Sequence, residues 1–167
     1  MLYIFSGLPG CGKSTIAKLL SEKLKAVYLR VDTIEQALRN GSAASGDIGP
    51  EGYFILYGLA RDNLKLGLPV VTDSVNDLNL VRDSFRDIAT SLNVPCLEIE
   101  ILCSDPEQHR ARVENRVSDI PSLKVPDWQA VVDRVYEPWK REHLKLDTAG
   151  LSPAECVEEI LKVSCHT

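Results

Sequence analysis

Eight consecutive residues, Gly7-Leu8-Pro9-Gly10-Cys11-Gly12-Lys13-Ser14, match the spacing G-x-x-x-x-G-K-[ST] at every fixed position. Each residue type has a reason to stand where it does. Glycine at 7, 10 and 12 lets successive backbone N–H groups turn inward with no Cβ in the way, which makes a concave anion site. A helix starting near Lys13 adds the partial positive charge of its N-terminus to the same spot. Lys13 can reach the β- and γ-phosphates of a nucleoside triphosphate, and the Ser14 hydroxyl can ligate magnesium. The expected cradle is therefore Gly7, Leu8, Pro9, Gly10, Cys11, Gly12, Lys13, Ser14 and Thr15, with ATP and Mg2+ as its occupants. Cys11 contributes backbone, and its thiol is expected to be dispensable. A turn that merely joins strand to helix is the plain alternative, and it leaves Lys13-Ser14 in register without a reason.

Two carboxylates and two arginines extend the chemistry. Asp32 and Asp73 each follow an apolar strand-like run, and in an open α/β sheet ligands sit beyond the carboxyl ends of the strands. Asp73, after Leu68-Pro69-Val70-Val71-Thr72, suits a carboxylate supporting magnesium beside Ser14. Asp32 precedes a short helix and is expected on the acceptor side; at either position a plain cap or turn former is the alternative. Arg112 and Arg116 lie four apart on a predicted helix, so they share a face and could close over a transferring phosphoryl group. An exposed face paired with Glu107 or Glu114 is the other reading of the same spacing. Arg82 and Arg86 repeat it but alternate with Asp83 and Asp87, the pattern of a solvated face. Trp128 and Trp139, beside Pro126 and Pro138, are expected to pack rather than to stack on bases. None of the three histidines lies at metal spacing from a cysteine or an acid.

Strands and helices must alternate to position these residues. Strands are expected over Leu2–Phe5, Ala26–Val31, Pro69–Thr72, Cys96–Cys103 and His143–Asp147. Helices are expected over Thr15–Lys25, Thr33–Arg39, Tyr53–Leu66, Leu78–Leu92, Pro106–Val117, Trp128–Glu137 and Pro153–Val163, with Asp105 and Ser152 as N-caps. Two segments fit neither period. Gly41–Gly52 is polar and glycine-rich, a mobile loop, and Val117–Asp127 is irregular and lid-like. The alternation predicts an α/β fold with a parallel sheet covered on both faces, built as one domain over 1–167.

Composition narrows the partners. The 167 residues are 44% hydrophobic and 26% charged, an ordinary globular profile, and the net charge of −5 with no basic stripe argues against a nucleic-acid footprint. Five cysteines without a C-x-x-C pair fit free thiols in a reducing compartment. With no run resembling a signal peptide and no apolar stretch near 20 residues, a cytoplasmic location without membrane attachment is expected. Oligomeric state is left open.

On GLPGCGKST, LRVDTIEQAL, VVTDSVNDLN and HRARVENR, the chain resembles the P-loop small-molecule kinases of the AAA type, whose relatives include polynucleotide 5′-kinase, zeta toxins, chloramphenicol phosphotransferase, gluconate kinase and adenylylsulfate kinase. The resemblance runs over nearly the whole chain. It implies a three-layer fold of the nucleoside monophosphate kinase type with five parallel strands in the order 2-3-1-4-5. It further implies that Asp32 activates an acceptor hydroxyl, that Arg112 and Arg116 are lid arginines, and that the partner is a small-molecule acceptor. Polynucleotide-kinase relatives often carry arginine three residues after the activating acid; Glu35 stands here, against a phosphorylated or nucleic-acid acceptor. Three rivals remain. An ATP-dependent regulatory module would need no acceptor, and a polynucleotide 5′-kinase would need more basic charge. A GTPase is suggested only by Asp147-Thr148-Ala149-Gly150, which comes 17 residues from the end with no N-K-x-D element.

Overall fold

The computed structural model describes residues 1–41 and 48–165. Half of the 41–52 segment expected to be a mobile loop, residues 42–47, lies outside them. Five strands, β1 (Leu2–Ser6), β2 (Val27–Arg30), β3 (Val70–Asp73), β4 (Cys96–Leu102) and β5 (Leu144–Asp147), form one parallel sheet in the order β2-β3-β1-β4-β5. This is the expected order, and it puts β1 at the centre, with Tyr3 in register with Val71 on one side and Leu97 on the other.

Seven helices fill the described connections: α1 (Lys13–Leu24), α2 (Val31–Gly41), α3 (Glu51–Lys65), α4 (Asn79–Ser91), α5 (Pro106–Glu114), α6 (Trp128–Val132) and α7 (Pro153–Ser164). Because side chains alternate across a strand, β1 feeds two cores. Tyr3 and Phe5 join Ile16, Leu20, Ile99, Ile101 and Ile160 under α1 and α7. Leu2 and Ile4 join Leu56, Leu64, Val70, Phe85 and Ile88 under α3 and α4. With all five residues of β1 buried, the sheet is sealed on both faces, as parallel strands require.

The N-caps follow the sequence closely. The Asp105 carboxylate accepts from the N–H groups of Glu107 and Gln108, each at 3.0 Å, ahead of Pro106. Ser152 and Glu155 form a capping box at α7. Helix α1 has no side-chain cap: Gly12 stands at its N-cap with φ 92°, so its first N–H groups remain open to a ligand.

Four expectations need correcting. Strand β2 stops at Arg30, and Asp32 is the second residue of α2, where a carboxylate favours the helix N-terminus. Helix α5 stops at Glu114, so Arg116 lies beyond it and shares no helical face with Arg112. Helix α6 is only five residues long. The chain after it is drawn instead onto the loop following β3: Glu137 N–H donates to Asp77 O at 2.8 Å, and the Glu137 carboxylate accepts from Asn79 N at 2.7 Å.

The fourth correction is Arg82, which is not solvated but fully buried. Its guanidinium donates to the carbonyls of Asn76 (2.7 Å), Glu137 (2.9 Å) and Asp77 (3.2 Å). It also lies 4.3 Å from the Trp139 ring centre and 4.7 Å from that of Tyr136, a desolvated cation–π arrangement. Trp139 therefore packs, as expected, but around a charge. Arg86 is half-exposed and pairs with Glu98 at 3.1 Å. Arg82→Ala is expected to cost about 3 kcal/mol in urea unfolding, because it leaves buried carbonyls without donors. Arg86→Ala is expected to cost under ~1 kcal/mol. Equal costs would show that Arg82 is not the clamp between these segments.

Candidate functional site

The cradle runs from the end of β1 to the start of α1, and its glycines are required sterically. Gly7 has φ +138°, and a Cβ there would stand 2.1 Å from the Ile101 carbonyl oxygen. Gly10 has φ +85°, and its Cβ would stand 2.4 Å from a Val113 methyl. The outer wall is tied down from three directions. Gly7 N–H donates to Val75 O at 3.0 Å, in the loop after β3. His109 Nε2 lies 2.8 Å from Pro9 O; a carbonyl only accepts, so this nitrogen carries the proton. The Thr148 hydroxyl lies 2.9 Å from Cys11 O and 3.1 Å from Leu102 O, just beyond β5. Two of the cradle's carbonyls, those of Pro9 and Cys11, are thus bonded outward to the protein. Burial pushes the Cys11 thiol pKa up, so it is inert at neutral pH.

Lys13 is buried, with Nζ 3.7 Å from Asp73 Oδ1. Asp73, at the end of β3, accepts from the Tyr28 hydroxyl at 2.6 Å through Oδ2. Burial raises the Tyr28 pKa, and the Asp73 charge raises it further, so the phenol stays a donor; Ser14 is also among its partners. Arg30, at the end of β2, is equally buried. It reaches Asp119 at 2.7 Å, Asp32 at 3.3 Å and Asp73 at 3.8 Å. Arg116 lies 4.0 Å from Asp32. Arg112 instead turns toward β5, donating to the Thr148 hydroxyl at 2.7 Å and the Thr148 carbonyl at 3.0 Å.

Two cavities open on this cluster. One, of about 660 Å³, is lined by Gly12, Lys13, Ser14, Thr15, Arg112, Thr148 and Pro153, among others. The second, of about 650 Å³, is lined by Asp32, Glu35, Arg39, Asp73, Lys124 and Arg134. Lys13 and Arg116 line both. The structure thus brings Lys13, Asp32, Asp73 and Arg116 together at one junction and places Arg112 on the far side of the first cavity. Among the described residues, no group of three or more His, Cys, Asp or Glu could hold a metal by itself. Magnesium seldom asks for such a cage, since it keeps waters and takes one or two carboxylates plus phosphates. Ser14 and Asp73 fit that demand.

Sequence reasoning missed five of the residues described here. Tyr28 and Arg30 were legible as polar tips inside an apolar strand leading to Asp32, and Thr148 sits in the Asp147–Gly150 stretch that invites a GTPase comparison. Asp119 and His109 gave no sequence signal. His109 instead meets the Trp128 ring edge-on, with ring centres 5.2 Å apart.

A family model described as an AAA domain matches residues 2–136. A protein of Thermococcus onnurineus (strain NA1), provisionally named an adenylate kinase, is 31% identical over 164 residues, covering 96% of this chain and 82% of that protein. Among solved structures, a provisionally named kinase of Chloroflexus aurantiacus superposes with a TM-score of 0.77 at 20% identity, covering 99% of this chain and 96% of its own. The Mycobacterium tuberculosis APS kinase CysC, in complex with AMPPNP and APS, superposes with a TM-score of 0.65 at 20% identity, covering 96% and 95%. These structural likenesses bear on the fold. No helix among the described residues is long and apolar enough to cross a membrane.

The cradle geometry yields a double-mutant test. Gly10→Ala is expected to destabilise by about 2 kcal/mol through the contact with Val113 and the strained φ. In a Val113→Ala background the same change should cost roughly 1 kcal/mol less, a coupling measurable by chemical unfolding. Additive costs would show that Val113 does not set the space at Gly10.

Proposed function

The chain belongs to the AAA domain family, and from that premise we propose that it is an ATP- and magnesium-dependent phosphotransferase acting on a hydroxyl of a small acceptor. The observation that carries this reading is the pair of cavities meeting at Lys13 and Arg116. A hydrolase or a regulatory ATPase needs one cavity and a water. A second cavity of similar size, with its own carboxylates and opening on the same lysine, suits an acceptor held in line with the leaving phosphate.

The roles follow from position. Backbone N–H groups of Gly10, Gly12, Lys13 and Ser14 at the uncapped start of α1 bind the phosphates, and Lys13 spreads charge over the β- and γ-oxygens. Ser14 and Asp73 would hold magnesium, which when bound supplies further neutralisation of the phosphate charge. Asp32 and Asp73 both line the second cavity, but Asp73 lies against Lys13 while Asp32 stands on α2 away from the cradle, so Asp32 orients the acceptor hydroxyl and takes its proton. Arg116, common to both cavities, stands where charge develops during transfer. Arg112, fixed by Thr148, holds the nucleotide from the β5 side.

The size of the second cavity suits a metabolite rather than a polymer, and among its described lining residues none is aromatic, so nothing there would stack on a base. The name of the archaeal relative favours one specific alternative, a nucleoside monophosphate as acceptor, for which Arg39, Arg134 and Lys124 could meet the phosphate. A screen of ATP consumption against AMP, sugars, polyols and antibiotics separates the two. Unstimulated ATP turnover across the whole panel would favour the regulatory module.

Lys13→Met is expected to lower turnover at least about 100-fold, since no other side chain in the loop points a cation at the phosphates. Asp32→Asn is expected to lower turnover by roughly 10²- to 10⁴-fold while leaving the Kd for Mg-ATP nearly unchanged. Asp73→Asn should shift both. Calorimetric titration in which Asp32→Asn loses Mg-ATP and Asp73→Asn keeps it would reverse the two assignments.

A further inference from the structure

Lys13, Lys18, Arg30, Arg112 and Arg116 line the first cavity, and Asp119 is its one acidic side chain among the described residues. That acid is placed unusually. It belongs to the irregular segment after α5, yet it crosses to α1 and β2, where one carboxylate oxygen meets Lys18 and the other accepts from Arg30 Nη1 at 2.7 Å. Bonds from Lys18 and Arg30 hold its pKa well below the usual carboxylate range although the side chain is half-exposed. Arg30 itself is buried, and its Nε is a buried N–H with no hydrogen-bond partner. The other carboxylates near it are shared: Asp73 is engaged by Tyr28 and Lys13, and Asp32 accepts from Arg30 Nη2 only at 3.3 Å while also lying beside Arg116.

We propose that Lys18 and Arg30 form a subsite for a tetrahedral phosphate group, which the Asp119 carboxylate fills in the ligand-free chain and vacates when phosphate binds. A guanidinium beside an ammonium is a good match for an oxyanion with three acceptor oxygens, and phosphate offers more charge and more lone pairs than one carboxylate. Without Asp119 only the longer contacts to Asp32 and Asp73 offset the buried Arg30 charge, and an under-compensated buried cation is costly. The protein's own carboxylate therefore stands in until a ligand supplies the charge. Its displacement frees the segment bearing Asp119, together with Arg116 and Val117, to settle over the bound ligand. The subsite itself is independent of the phosphotransferase reading; only the source of the phosphate, the nucleotide or a phosphorylated acceptor, depends on it.

Calorimetric titration of the wild type, Asp119→Asn and Lys18→Gln with inorganic phosphate, Mg-ADP and Mg-ATP tests this. Both side chains are substantially exposed, so the variants should melt within a few degrees of the wild type. Asp119→Asn is expected to tighten inorganic phosphate roughly three- to tenfold by removing the internal competitor, and Lys18→Gln to weaken it by a similar factor. A larger gain for Mg-ATP than for Mg-ADP in Asp119→Asn assigns the subsite to the γ-phosphate. Equal nucleotide affinities with tighter inorganic phosphate on the Mg-ADP complex assign it to a second ligand. If Asp119→Asn leaves phosphate affinity unchanged or weakens it, Asp119 is a structural strut and the subsite does not exist. If no acceptor supports turnover while Asp119→Asn still tightens phosphate, the phosphotransferase reading fails and the subsite stands.

Discussion

A loop of backbone can hold a polyanion only if the protein leaves the N–H groups that face the ligand unused and keeps its own side chains out. That constraint organises the rest of the structure. Gly7 and Gly10 cannot carry a Cβ because the Ile101 carbonyl and a Val113 methyl already occupy the space behind them. The loop cannot relax to make room, since two of its carbonyls are bonded outward to His109 and Thr148. Left-handed backbone is thus stored in the cradle and paid for by packing around it. The neighbouring strands deliver the parts: β3 ends in the loop that takes Gly7 N–H, β5 ends at Thr148, and β4 leads to α5 with His109 and Val113. Fold and site are coupled through this loop, and Arg82 extends the coupling by holding Asn76, whose amide donates to Phe5 O at 2.9 Å.

At the front of the cradle the problem is charge. Lys13 and Arg30 are both buried, and Asp73 lies between them, 3.7 Å from one and 3.8 Å from the other. Neither contact is a tight hydrogen-bonded pair. The short bond at Asp73 goes to a neutral donor, the Tyr28 phenol, which burial keeps protonated. A carboxylate held this way stays aligned without being locked to a single cation, and it leaves Lys13 available to an incoming phosphate. Tight pairing would cost this availability, since a buried pair with full hydrogen bonding resists separation.

The fold was legible because hydrophobic periodicity and the Gly7–Ser14 spacing are local properties of the chain. Five apolar runs and their alternation with helices were enough for the order of the sheet once the resemblance was added. The larger misreadings involve contacts far apart in sequence, and the rest are element ends. Arg82 looks solvated between acids, and only the return of Tyr136 to Trp139 buries it. The helix after Trp128 looks longer than it is, because Glu137 finds better partners at Asp77 and Asn79 than in another helical turn. Arg116 looks paired with Arg112 by spacing, but α5 ends two residues before it. His109 is 100 residues from the carbonyl it holds, and Asp119 is 89 from Arg30. Neither pair has a sequence pattern to betray it.

The walls of the second cavity differ in how far they can adapt. Its α2 side is fixed, because Gly52 at the start of α3 packs against Glu35, where even a Cβ would come within 2.6 Å of Glu35 Cγ. Burial pushes the Glu35 carboxyl pKa up, and Arg39, paired with it at 3.3 Å, partly offsets that. Asp32 and Glu35 stand three residues apart on this wall, so they present two acceptors for hydroxyl groups at a fixed separation. The opposite wall, from Ser122 to Pro126, carries no helix or strand. A fixed wall bearing carboxylates suits the part of an acceptor that every productive complex must present in one orientation, the hydroxyl to be phosphorylated. A wall without regular structure suits the part that distinguishes one acceptor from another. On the proposed phosphotransferase reading, discrimination among acceptors would reside in Ser122 to Pro126 with Arg134, while the carboxylate that takes the hydroxyl proton stands on α2.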